Sequence, residues 1–386
     1  MINKFNVNKT KQLDKINTIL SLFYQKPICQ EDMLLNDIRE IIVVDFALIG
    51  DMIMNIPFFK TVRRNCPNAK VTMVCMPWAE TILGDQGLVD EFVVFDGKNI
   101  LSSPISVLKN LKKVHQTLKQ INRKNYDMGF EPKGDLRHTL FLHYIKCKRS
   151  ITYNYTGGDY LVTDSFAPLE KTQHLIDEKI DLLQMIGFDI CDDDILPELI
   201  LPDMWKTYND DFLAKNNIKD KKIIGLHPGA SNINKQYRYY PQLVEKINQK
   251  VDTKTIFMIF EGPNEKEIVD KVCCKLQKDR YIRVSKKLKE YISLVAICDY
   301  MICNDSAAGH IATAYGIPTA VIFGPIQAET ALPRGRASIV GISHDLDCKP
   351  CTLPICPLNS EKCIREITLE EVYEAIKKLG IIKEEL

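Results

Sequence analysis

Apolar residues along the chain recur in two registers that take turns. From Arg39, REIIVVDFALIG is a β-branched run of strand length, DMIMNIPFFKTVRRNCP has helical spacing, and AKVTMVCMP is a second strand run, which together predict a βαβ unit. EFVVFD and YDMGFEP continue the strand series with a helical stretch over 100–125 between them, so the first half predicts a parallel, doubly wound sheet. A second series starts near Lys221: KKIIGLHPG, TKTIFMIFEGP, DYMICND and TAVIFGP are strand runs. PQLVEKINQKV, KEIVDKVCCKL, LKEYISLVAIC and AAGHIATAYG alternate with them as helices. The segment 188–220, with CDDDILPELILPDMW, is rich in Asp and Pro and predicts an interdomain connection. Residues 1–38 are rich in Lys, Asn and Gln and predict a helical or partly ordered extension with no chemistry of its own. The expected plan is an α/β chain with an extension over 1–38 and two Rossmann-like domains over 39–200 and 201–386, facing a central cleft.

Length supports that division, since 386 residues at ~100–200 per domain exclude a single small binding module. With 45% hydrophobic and 26% charged residues the chain can bury a core and is not a disordered scaffold. Lys and Arg number 51 against 50 acidic residues, so no whole-protein field attracts nucleic acid, and any charge-driven partner must meet a local patch. No run reaches the ~18–20 apolar residues of a membrane-spanning helix, and the first residues lack a signal-peptide pattern, so a cytoplasmic location is expected. Most of the thirteen cysteines lie within apolar runs such as VTMVCMP and YMICND, as buried thiols in a reducing compartment do.

Three places carry candidate chemistry. Leu48-Ile49-Gly50-Asp51 ends a strand and opens a helix, with Asn55 and Pro57 in its early turns. An acidic residue there faces the crevice at the carboxyl end of an open sheet; an aspartate N-cap is the competing reading. Leu226-His227-Pro228-Gly229-Ala230-Ser231, with Lys235 and Arg238 just beyond, offers backbone N–H groups, a hydroxyl and positive charge to phosphates, although it is neither a P-loop nor GxGxxG. A plain β-turn is the competing reading. Asn304-Asp305-Ser306-Ala307-Ala308-Gly309-His310 again ends a strand and opens a helix, where Ser306 and neighbouring amides can hold a diphosphate, or Asp305 simply caps and His310 packs.

Taken together and in order, IGDMIMNIPFFKTVRRNCPNAKVTMV, HPGAS followed by RYYPQLVEKI, FEGPNEKE, and NDSAAGHIATAYGIPTAVIFGP resemble the motifs of glycosyltransferase family 9, the ADP-heptose:lipopolysaccharide heptosyltransferases, from about Ile41 to the C-terminus. The resemblance implies a GT-B fold with an acceptor-side first domain and a nucleotide-sugar donor domain. It also implies inverting transfer of heptose from ADP-heptose to a glycan or lipid-linked acceptor without a catalytic metal. An inverting transfer needs a base for the acceptor hydroxyl and cationic or dipolar help for the leaving diphosphate. Residue by residue, the resemblance puts Asp51 as base, Arg238 on the diphosphate with Lys235 in reserve, and Asp305, Ser306 and His310 along the sugar diphosphate. Gly229, Ser231, Gly262 and Glu265 fall among the donor-side positions. Two departures bear on the donor: Ala307 stands where Gly is commoner, and Tyr240 where Trp is usual.

Cys348-x2-Cys351-x4-Cys356-x6-Cys363, interrupted by Pro350, Pro354 and Pro357, can close a structural zinc or iron site, pack as reduced thiols, or form a regulatory disulfide. From Gly97 to Tyr126 there is no acidic residue, while Lys98, Lys109, Lys112, Lys113, Lys119, Arg123 and Lys124 are basic and apolar residues recur at helical spacing. Such a helix can meet an anionic inner-membrane surface or an anionic saccharide, or be an ordinary solvated face. The competing functions are a same-fold transferase using another nucleotide-sugar on capsule, glycan or protein, and a non-catalytic glycan-binding protein. A dehydrogenase is disfavoured because no GxGxxG follows the first strand.

Overall fold

The computed structural model describes residues 7–29, 33–167, 173–351, 353 and 355–382, and the side chains from Leu13 onward. Pro354 of the cysteine-rich segment therefore lies outside the described residues. The chain divides into two compact units, 1–195 and 196–386.

The first unit holds six parallel strands: β1 (Glu40–Asp45), β2 (Lys70–Cys75), β3 (Glu91–Val94), β4 (Tyr126–Glu131), β5 (Cys147–Tyr153) and β6 (Asp164–Phe166). They lie in the order β3-β2-β1-β4-β5-β6. Ile41, Ile42, Val43 and Val44 are all buried, as a central strand covered on both faces requires. β1 pairs with β2 on one side (Ile41 with Val71) and with β4 on the other (Ile41 with Met128). Gly129 in β4 lets the Leu136–His143 helix and β5 approach closely, because a Cβ there would lie 2.6 Å from Cys147 Sγ and 2.9 Å from Leu142 Cδ1. The second unit repeats the plan with β7 (Lys222–His227), β8 (Thr255–Phe260), β9 (Tyr281–Val284), β10 (Tyr300–Asn304), β11 (Thr319–Ile322) and β12 (Ile339–Ile342), in the order β12-β11-β10-β7-β8-β9. The expected fold class is therefore present in both units.

In each sheet the strand order reverses beside the first strand, between β1 and β4 and between β7 and β10. Crossovers leave these strands toward opposite faces, so the loops at their carboxyl ends splay apart and open a crevice.

Three sequence expectations change. The extension is part of the first unit: Leu13 of the Val7–Leu20 helix is buried against Leu136 and Leu161, and the Gly158 N–H donates to Asn17 Oδ1 at 2.9 Å. The 188–220 segment holds the division between the units but is more than a connection, since its Asp203–Lys215 helix is anchored by Asn209 Nδ2 donating to Ser293 O at 2.7 Å. The 100–125 helical stretch is broken into Gly97–Ile100, Pro104–Lys109 and Leu111–Ile121, because Ser103 caps a new helix whose first residue is Pro104. None of the thirteen cysteines is joined in a disulfide.

Candidate functional site

At the β1/β4 crevice the buried end of β1 runs through Asp45 into the Ile49–Ile53 helix, whose first turn carries Asp51. The loop after β4 brings Lys133 across to it, and Lys133 Nζ donates to Asp51 Oδ2 at 3.1 Å and lies 3.9 Å from Asp45 Oδ1. Behind this pair, Asn55 Nδ2 donates to Asp45 Oδ2 at 2.8 Å, and Lys179 Nζ donates to Asn55 Oδ1. Asp45 is fully buried and Lys179 is nearly so, and these two carboxylates and two ammonium groups balance in charge, as burial demands.

The Asp51 side chain is 27% exposed, so it is the carboxylate of this group that solvent reaches. Burial works against its ionisation. The ammonium groups of Lys133 and Lys179, with hydrogen bonds from Lys133 and the Leu48 N–H, outweigh that and hold its carboxyl well below the usual aspartate range. Both hydrogen bonds land on Oδ2, which leaves Oδ1 without a hydrogen bond among the described residues. The group is thus an ionised acceptor with one oxygen open to an incoming hydroxyl.

The neighbouring acids are structural. Glu131 is fully buried, accepting from the Gly134 N–H at 2.6 Å and Thr152 Oγ1 at 2.8 Å. Asp135 caps the Leu136–His143 helix and pairs with Arg137 through its Nε at 2.7 Å.

At the β7/β10 crevice, Asn304 ends β10 and fastens the loop that follows β7: its Nδ2 donates to Pro228 O at 2.7 Å, and its Oδ1 accepts from the Tyr237 N–H at 3.2 Å. Lys235, in the short turn Ile233–Lys235, reaches back to Asp305, with Nζ donating to Oδ2 at 2.6 Å. Ser306 caps the Ala307–Ala314 helix by position only; its Oγ is buried and has no hydrogen-bond partner among the described residues. The first N–H groups of that helix therefore meet no capping side chain, which is how a helix end stays open to an anion. His310 lies one turn further on and is buried.

Glu265 scaffolds the loop, accepting from the Gly262 N–H at 2.7 Å and lying 3.5 Å from His227 Nε2. Burial opposes its ionisation, and His227 and the Gly262 N–H hold its carboxyl below the usual range nonetheless. Gly229 packs directly on that carboxyl group: a Cβ at Gly229 would stand 1.9 Å from Glu265 Cδ and would force the Glu265 side chain to move. Ser231 is exposed on the same loop.

Arg238, expected on the diphosphate, is exposed just beyond Lys235. Its guanidinium lies 4.5 Å over the Tyr239 ring and donates to Arg365 O at 3.4 Å, so Lys235 is the cation brought to Asp305. Tyr240, where Trp is usual, is fully buried with its hydroxyl donating to Ile302 O at 2.5 Å. Sequence reasoning missed Lys133 and Lys179 as members of the first site. Lys179 had a signal, a lysine between Ile176 and Ile180 on the buried face of the Leu175–Met185 helix.

In the cysteine-rich segment Cys348, Cys351 and Cys356 lie within electrostatic reach of Cys363. Cys348 is exposed and Cys363 buried, and among the described residues no group of three or more His, Cys, Asp or Glu is placed to hold a metal ion. The segment also fastens neighbouring loops: the Cys351 N–H donates to Pro325 O at 2.9 Å, and Asn234 Nδ2 donates to Leu353 O at 2.9 Å. No helix among the described residues is long and apolar enough to cross a membrane.

Comparison with known proteins adds to this geometry. The pattern described as glycosyltransferase family 9 (heptosyltransferase) matches residues 114–360, which include Lys133 and the whole β7/β10 site and leave Asp51 ahead of the match. The lipooligosaccharide heptosyltransferase 2 of Campylobacter jejuni serotype O:2 is 25% identical over 339 residues, covering 86% of this chain and 95% of that protein. That of serotype O:6 is 33% identical over 166 residues, 42% of this chain and 52% of that protein. Among solved structures, the Escherichia coli ADP-heptose heptosyltransferase II superposes with a TM-score of 0.70 at 17% identity, covering 88% of this chain and 98% of that one. A glycosyltransferase family 9 protein from Veillonella parvula gives a TM-score of 0.72 at 18% identity, covering 90% and 98%.

Proposed function

The chain belongs to glycosyltransferase family 9 and is a glycosyltransferase, and from that premise we propose that it moves heptose from ADP-heptose onto the core sugars of a lipopolysaccharide or lipooligosaccharide. The observation that carries the reading is Asp51: an ionised carboxylate at a crevice, anchored through one oxygen and open at the other.

In this scheme the acceptor hydroxyl gives its proton to Asp51 Oδ1 as its oxygen bonds to the anomeric carbon. The bond from that carbon to the diphosphate oxygen breaks, and ADP leaves with the electron pair. Attack opposite the leaving group inverts the anomeric centre. Because Asp51 is held well below the usual carboxylate range it is a weak base, suited to a hydroxyl that turns acidic only once its new bond is largely formed.

Lys235 supplies the cation for the departing diphosphate, with the open N–H groups of the Ala307–Ala314 helix beside it. Asp305 cannot itself bond an anion; it orients Lys235 and can accept from a donor hydroxyl. With these groups carrying the charge the reaction needs no divalent ion, and chelation by EDTA is expected to leave the initial rate unchanged.

A mass-spectrometric screen of nucleotide-sugars against a core-oligosaccharide acceptor tests the donor. Product gaining one heptosyl unit from ADP-heptose is expected. Transfer from a UDP-hexose or UDP-N-acetylhexosamine with none from ADP-heptose would replace the heptose reading and leave the chemistry at Asp51 standing.

A further inference from the structure

The acid-free stretch that follows β3 folds into helices with two apolar faces. One face is accounted for, since Val107, Val114 and Leu118 pack on the core of the first unit. The other is not: Ile105, Leu108 and Leu111, spaced three apart across the junction of the Pro104–Lys109 and Leu111–Ile121 helices, are 66%, 65% and 52% exposed. Lys109, Lys112 and Lys113 are interleaved with them and exposed, and none has an ion-pair partner among the described residues. Lys124, at the far end, is by contrast held by Glu91 and Glu40.

Three large aliphatic side chains in water among unpaired ammonium groups match one chemistry well, a surface with negative headgroups over hydrocarbon. A saccharide would be met by hydrogen-bonding groups and ring faces rather than by isoleucine and leucine. The position in the fold agrees. All the strands of the sheet are parallel, so the segment leaving β3 begins at the same carboxyl end as Asp51 after β1, and Arg137 Nη1 ties it there by donating to Leu101 O at 3.3 Å.

We infer that the 104–113 segment is a docking surface for an anionic lipid bilayer, the lysines meeting phosphate headgroups while Ile105, Leu108 and Leu111 enter the acyl boundary. The inference deepens the proposed function, because a lipid-linked acceptor would then be offered on the side of this unit that carries Asp51.

The test uses the full chain and vesicles of phosphatidylglycerol and phosphatidylcholine in equal parts, with pure phosphatidylcholine vesicles beside them. The protein is expected to sediment with the anionic vesicles and about tenfold less with the neutral ones, and to be released as salt rises. Lys109→Glu/Lys112→Glu removes the preference for anionic vesicles. Ile105→Ser/Leu108→Ser/Leu111→Ser lowers the bound fraction about tenfold, and both variants keep the wild-type thermal midpoint and wild-type turnover on a delipidated acceptor oligosaccharide. A wild type that stays in the supernatant with both vesicles, or variants that sediment as it does, overturns the inference. A raised KM for the delipidated oligosaccharide in the lysine variant would assign the patch to the saccharide instead. A dimer that the serine variant dissociates would assign it to a second copy of the chain. Vesicle binding needs no donor, so a wrong sugar assignment leaves this result intact.

Discussion

The two crevices are built on the same strand order and hold opposite chemistry. At β1/β4 the loops contribute side-chain charge: Asp45, Asp51, Lys133 and Lys179 form a balanced, largely buried group from which a single carboxylate oxygen stays open. At β7/β10 they contribute shape and backbone: Asn304 and Glu265 hold a glycine loop rigid, one ion pair places Lys235, and a helix begins without a capping side chain. Topology opens both crevices, and the residues in the loops give the first an ionised carboxylate and the second a lysine beside an uncapped helix end.

The comparison predicts that damage to the two sites is separable. Asp51→Asn has the largest expected effect, a fall of ~10²–10⁴ in turnover, because an amide keeps the shape and cannot take the proton. Affinity for ADP, measured by calorimetry, is expected to stay at the wild-type value. Wild-type turnover by this variant would remove the proton from the first crevice. Buried Glu131 and paired Asp135 are poor replacements.

Next in size, Lys235→Ala is expected to weaken ADP binding roughly 10–100-fold, as loss of a charge-assisted contact does. Arg238→Ala, which removes a side chain stacked on Tyr239, is expected to change it by no more than about twofold, the exposed position leaving little to lose. The reverse order would return the diphosphate to Arg238.

A pH-dependent effect sharpens the first crevice. Lys133→Met removes the main cation beside Asp51, so burial then dominates and the carboxyl titrates at higher pH. In the wild type Asp51 stays ionised below the ordinary aspartate value of ~3.9, so its protonation puts no acid limb on kcat/KM between neutrality and that pH. In the variant an acid limb is expected within that window, with the neutral-pH rate lowered less than by Asp51→Asn. The stability sign follows from the same shift. A carboxyl lowered on folding stabilises the protein above its unfolded value and loses that contribution as pH falls through the folded one, so the variant is less stable at neutral pH and less sensitive to acid. Thermal midpoints across pH read this directly.

Much of this arrangement was legible in the residues. The β-branched runs at β1, β2, β7, β8, β10 and β11 are continuous because buried parallel strands are apolar on both faces, and Asp51, Gly229 and Asp305 fall just past strand ends, where such sheets bind. The strands left unread were β5, β6, β9 and β12. CKRSITY mixes charge into the run, and DSF, YIRV and IVGI are too short for a period to show.

By itself, then, the sequence determined the α/β class, the repeated half and the strand-end loops where the candidate residues lie, because each is written in local period and in position after a strand. Tertiary structure alone decided which side chains converge. Lys133 comes from 82 residues beyond Asp51, a distance along the chain that no local pattern spans. Lys235 and Arg238 are three residues apart, yet the turn at Ile233–Lys235 sends one to Asp305 and the other to Tyr239. The cysteine-rich segment is joined to distant loops, Leu353 O to Asn234 and the Cys351 N–H to Pro325 O, and the spacing of the four cysteines spells out neither contact.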